Sequence, residues 1–142
     1  MKASELRIGN LIGFNYGNRK TYSTITEITS IDVKLNDGFA ELSQLKPIPL
    51  TEKWLLRFGF ESEGEGGSAY LKLNNLVHLC CFVDFESNLD YVKFYMLELM
   101  GDINEHDETC GIPIKMQYVH QLQNLYFALT GEELKPKDDE NN

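Results

Sequence analysis

Two prolines in three residues, Pro47 and Pro49, constrain this chain more than any other feature. Proline has no backbone N–H and a fixed φ, so the pair cannot sit inside a strand ladder or a helix interior. What precedes them reads as short strands and turns. Residues 11–14 are apolar and run into Asn15-Tyr16-Gly17-Asn18, a good turn composition. Residues 21–33 are rich in the Thr, Ile, Tyr and Val that favour strands. Ile25, Ile28 and Ile31 do not alternate strictly, which predicts a bulge or bend within that stretch. Val33 and Leu35 alternate up to Asn36-Asp37-Gly38, whose residues suit the left-handed conformations of a tight hairpin turn. Phe39, Leu42 and Leu45 continue beyond it. Strand spacing of this kind predicts a small SH3-like β-barrel or a curled sheet over residues 1–49.

Beyond the prolines the pattern changes. Thr51 stands as a helix N-cap, Glu52 faces the positive end of the helix dipole, and Leu50 and Leu55 occupy the positions of a hydrophobic staple. Gly59 closes this helix, about 51–58, and Phe60 is placed to pack back over it. Residues 61–68 hold three glycines and no apolar side chain, so they read as a solvated loop. Strands are predicted at 70–73, 76–85 and 91–99, with an acidic loop at 101–109. A last helix is predicted over 116–129, where Val119, Leu122, Leu125, Tyr126 and Leu129 form one apolar stripe and Gly131 stops it. The expected fold is therefore α+β. A small β unit over 1–49 is followed over 50–134 by a short linking helix and an antiparallel sheet covered by a C-terminal helix. The two regions are expected to share one core, and 135–142 forms a disordered tail.

Composition narrows the function classes. The chain has 142 residues, 42% hydrophobic and 11% aromatic, as a folded globule requires. No apolar run approaches the roughly 18 residues of a membrane span, and the first residues lack the apolar core of a secretory signal, so a cytoplasmic setting is expected. Three cysteines, two of them the adjacent Cys80 and Cys81, make no disulfide framework. The formal charge of −9 is unevenly spread. Residues 1–60 carry eight Lys/Arg against six Asp/Glu, whereas 61–142 carry five against sixteen. So acidic a second half repels a polyanion.

Three stretches carry a resemblance: Glu5-Leu6-Arg7-Ile8-Gly9-Asn10-Leu11-Ile12, Pro47-Ile48-Pro49-Leu50-Thr51-Glu52-Lys53-Trp54-Leu55-Leu56-Arg57-Phe58-Gly59-Phe60, and the closing run from Tyr118-Val119-His120-Gln121-Leu122-Gln123-Asn124 to Gly131-Glu132-Glu133-Leu134. In these the chain resembles small uncharacterised proteins of Bacteroidetes genomes, often encoded in prophages and other mobile elements. The resemblance implies a bacterial or phage setting and no activity, cofactor or catalytic residue.

Candidate chemistry is thin. His78 and Cys80 share one strand face, and with His106 and Cys110 they offer zinc ligand types, but neither pair has the tight knuckle spacing of a structural site. The acidic run from Asp84 to Asp90 has Leu89 where a calcium loop needs glycine, and residues 102–108 fail similarly. Pairing Cys80 or Cys110 with His78, His106 or His120 as nucleophile and base has no local motif behind it. His120 reads as a polar flank beside the apolar stripe. Lys2, Arg7, Arg19 and Lys20, with Phe14, Tyr16 and Tyr22, make a thin nucleic-acid patch interleaved with Glu5 and Glu27. No catalytic, cofactor-binding or metal-ligating residue is assigned. The expectation is a non-enzymatic protein-interaction module that binds another protein or itself, with aromatics such as Trp54 available for contacts. A nucleic-acid-binding or DNA-mimicking accessory protein is the alternative.

Overall fold

The computed structural model describes residues 1–16, 19–62, 68–72, 77–82, 92–99 and 112–137. The backbone alone is described for Tyr16, Arg19, Lys20 and Ser62, and for the strands at 68–72, 77–82, 92–99 and 112–115. The chain divides into two compact units. One comprises Met1–Pro49 with Tyr118–Leu134, the other Leu50–Gln117 with Lys135–Asn142.

The first unit is built on five antiparallel strands: β1 (Leu11–Tyr16), β2 (Arg19–Ile28), β3 (Asp32–Leu35), β4 (Gly38–Glu41) and β5 (Leu45–Lys46). Their order across the sheet is β4-β3-β2-β1-β5, so four strands meander and the fifth returns to the first. Among the described residues no ladder joins β4 to β5, and the sheet is open. The non-alternating isoleucines have the expected cause, a register shift in the β2–β3 ladder between Ile25 and Glu27. The Asn36-Asp37 turn closes the β3–β4 hairpin with Leu35 opposite Gly38, whose φ is +142°. One face of the sheet carries the core. Ile25 and Leu35 are cross-strand partners, as are Val33 and Ala40, and all four are buried with Leu6, Ile12 and Leu45. Each such Leu or Ile contributes about 1.5–3 kcal/mol by leaving water, more than any surface contact supplies.

The terminal helix α2 (Val119–Thr130) completes this unit. The sequence started it at residue 116, and that point is corrected. Met116 ends a strand, Tyr118 bridges Pro49, and the Val119 N–H donates to the Ile48 carbonyl at 2.9 Å, so the helix begins where that bridge releases the chain. Gly131 ends it as expected, with φ +75° and its N–H on the Phe127 carbonyl.

The second unit holds α1 (Glu52–Arg57) and a five-stranded antiparallel sheet. In α1 the staple residues Leu50 and Leu55 are both buried, Gly59 has φ +87°, and the Phe60 N–H folds back to the Leu55 carbonyl. The sheet runs β10-β9-β8-β7-β6, with β6 at Glu61–Ser62, β7 at Ser68–Lys72, β8 at Val77–Phe82, β9 at Val92–Leu99 and β10 at Ile112–Met116. β6 and β10 were not foreseen. β10 contains Pro113, which an edge strand tolerates because its outer side needs no donor. Lys137, in the stretch expected to be tail, donates its backbone N–H to the Arg57 carbonyl at 2.7 Å.

Candidate functional site

The best-defined polar arrangement is a clasp between the N-terminal segment and α2. It starts at a 3-10 turn, Ala3–Glu5, whose Glu5 carboxylate accepts the Lys2 backbone N–H. Asn10 then folds the chain on itself by accepting the Arg7 N–H at 2.7 Å. Gly9 makes this possible. Its φ is +94°, and a Cβ there would strike the Glu133 carboxylate. The Gly9 N–H and the Asn10 carbonyl pair with Ile25 on β2, so the segment enters β1 already hydrogen-bonded to the sheet.

Three side chains of α2 receive it. The Gln123 Oε1 accepts the Leu11 N–H at 2.8 Å while its Nε2 donates to the Leu134 carbonyl at 3.0 Å. Asn124 accepts from the Asn10 amide at 2.9 Å and donates to the Glu5 carbonyl at 3.0 Å. Phe127 lies under the Arg7 guanidinium, 3.6 Å from carbon to ring centroid, and the same guanidinium reaches Glu133 at 2.7 Å. Positions 123, 124 and 127 share one helix face, so a single face holds the whole segment. The arrangement also explains why Asn10 and Gln123 are fully buried although both are polar. Sequence reasoning missed both.

One helical turn before Gln123 on that face sits His120. It is 3% exposed, its ring stacks on Tyr118 with centroids 5.8 Å apart, and among the described residues its Nδ1 has no hydrogen-bond partner. The expectation of a polar flank is therefore corrected: the imidazole is part of the interior. Burial pushes its pKa below the ordinary value, against a smaller upward pull from Glu5.

Of the nucleic-acid patch considered from sequence, two members are engaged within the unit. Arg7 is committed to Glu133 and Phe127, and Phe14 packs against the apolar core. Lys2 and Tyr22 are exposed, and Arg19 and Lys20 open β2. On the zinc candidates, His78 and Cys80 lie two apart in β8, opposite Glu98 and Tyr95 of β9, while His106 and Cys110 fall outside the described residues. The acidic runs 84–90 and 102–108 fall outside them as well. Among the described residues no three His, Cys, Asp or Glu side chains converge as metal ligands would. Nor is any helix among them long and apolar enough to cross a membrane.

The open sheet presents a different feature at its β4 edge. Phe39 of β4 and Ile31, just before β3, are each 73% exposed. The Leu42 N–H after β4 donates to the Ile31 carbonyl, so Ile31 lies at the open end of the β3–β4 hairpin and Phe39 near its turn. Lys34 stands opposite Phe39 across the ladder, its ammonium 5.9 Å from the ring centroid. No family model, curated protein or solved structure matches the chain.

Proposed function

We propose that the chain is a non-enzymatic protein-interaction module of a bacterial mobile element or prophage, acting in the cytoplasm. The observation that carries this reading is the β3–β4 hairpin at the edge of the open sheet, which holds two large apolar side chains, Phe39 and Ile31, out to solvent. Isolated exposed apolar residues are ordinary. Here both lie on the hairpin that ends its sheet, and an edge strand can add main-chain hydrogen bonds to side-chain burial when another chain docks. A β-meander whose fifth strand returns to the first is also the strand order of an SH3-like unit, which is how we class the first unit. The genomic setting rests on the resemblance of residues 5–12, 47–60 and 118–134.

The test is a pull-down of the tagged protein from host lysate at low and high salt, with Phe39→Ser and Ile31→Ser in parallel and the eluate assayed for nucleic acid. An apolar docking edge predicts a protein partner, or a second copy, that survives high salt and is lost with either substitution. Retention of nucleic acid, released as salt rises, would replace this reading with the nucleic-acid alternative, because phosphate binding is the salt-sensitive kind.

A further inference from the structure

The clasp has one member that the hydrogen-bond pattern leaves unexplained. His120 is the second residue of α2, buried, with its Nδ1 unpaired. A neutral imidazole tolerates this site at the modest cost of one unpaired nitrogen. A charged one does not, for two independent reasons. Burial removes the water that would solvate the cation, and the first turn of a helix presents the positive end of its dipole. Among the described residues Glu5 is the charge that acts on the ring from the facing segment. It belongs to the 3-10 turn whose carbonyl Asn124 holds, one turn further along α2. Lys2 in turn places its backbone N–H on the Glu5 carboxylate. From the helix itself the Tyr118 phenol ring lies against the imidazole. The Arg7 guanidinium is already engaged by Glu133.

We propose that His120 is a proton-operated latch for the N-terminal segment: neutral, it stays buried and residues 1–11 lie closed on α2; charged, it draws water and the segment lifts from the helix. The groups that let go are those of the clasp, namely Leu11 N–H from Gln123, Asn10 from Asn124, and Asn124 from the Glu5 carbonyl. The bonds of Gly9 and Asn10 to Ile25, the pairing of Leu11 with Thr24 and the burial of Leu6 are made to the sheet rather than to α2, so the opening parts segment from helix and leaves them in place.

The direction with pH follows from proton linkage. The open state binds a proton with the ordinary histidine pKa of about 6.5, whereas the closed state binds one only at lower pH. The closed state therefore has its full advantage above that ordinary value. It loses the advantage as pH falls below it, until the lowered pKa of the closed state is reached. One proton is taken up on opening, so each pH unit within that window favours opening by about tenfold.

The experiment is amide hydrogen exchange followed by NMR from about pH 7.5 to about pH 5, corrected for intrinsic exchange, with the His120 ring protons titrated in the same samples. The Leu11 amide, whose acceptor is Gln123, is expected to lose protection by about tenfold per pH unit once pH drops below the ordinary histidine value. In His120→Gln that loss should vanish. Glu5→Gln leaves the imidazole in place and keeps the measurement decisive if the first variant folds poorly. It should retain the pH dependence and extend it to lower pH, since the charge that favours the closed imidazolium has gone. Protection that is flat with pH in the wild type, or pH dependence that survives in His120→Gln or disappears in Glu5→Gln, overturns the latch.

Discussion

Gln123 shows how much one side chain can decide. Its amide satisfies two backbone groups far apart in sequence, the Leu11 N–H and the Leu134 carbonyl, and none of its own surface reaches solvent to compensate for a loss. Gln123→Ala leaves both groups buried and unpaired, at about 1–3 kcal/mol for each. The more conspicuous contact nearby, Arg7 with Glu133, is partly exposed and screened, so Glu133→Gln should cost under about 1 kcal/mol. Denaturant unfolding of the two variants ought to show a much larger shift of midpoint for Gln123→Ala. Equal shifts would mean that water takes over the role of the amide. This ranking is not legible in the sequence. Hydropathy placed Leu125, Tyr126 and Leu129 on the buried stripe of α2, yet the buried side chains are Val119, His120, Leu122 and Gln123. A polar side chain is buried when its partner exists, and the partner here lies 112 positions away in the chain.

Elements were more legible than residues wherever local chemistry punctuates them. The α1 helix was readable because its signals are local: Leu50 and Leu55 stand five positions apart, and Phe60 folds back five positions to Leu55 across Gly59. The β3–β4 hairpin was readable from Asn36-Asp37-Gly38 for the same reason. β10 was not, because Pro113 argues locally against a strand and only the sheet order shows that the strand lies at an edge. The start of α2 was misplaced because nothing in residues 116–118 announces that they bridge and pair with other segments. Its end was foreseen, and it yields a test. Gly131 has φ +75°, and no atom lies within 4 Å of where its Cβ would be. Gly131→Ala thus meets backbone strain alone and should cost about 1–2 kcal/mol, read as a lowered melting temperature with unchanged secondary structure. A substantially larger loss would show that the turn also positions Glu133 and Leu134 for the clasp.

For the whole molecule, the decisive fact is that the first unit is discontinuous. Its first stretch runs from Met1 to Pro49, and residues 118–134 complete it. The sheet of that first stretch is open, and the segment entering β1 has its Asn10 side chain and Leu11 N–H satisfied by α2 rather than by the sheet. A fragment of about fifty residues has little apolar core to spare, and leaving such groups unpaired removes a large share of a marginal stability. Residues 1–49 alone should therefore stay unfolded. The structure also says how to restore the unit. Pro49 and Tyr118 are antiparallel bridge partners, so their Cα atoms stand about 5 Å apart and a linker of a few Gly and Ser residues can join them. A chain of residues 1–49, that linker, and residues 118–134 keeps the apolar cluster, the clasp and the Arg7–Glu133 pair. It should unfold cooperatively and show dispersed amide resonances, while the 1–49 fragment shows neither. A folded 1–49 fragment would mean that the sheet sustains itself and that α2 is an accessory. Failure of the joined chain, with 1–49 also unfolded, would mean that the first unit requires the second to fold.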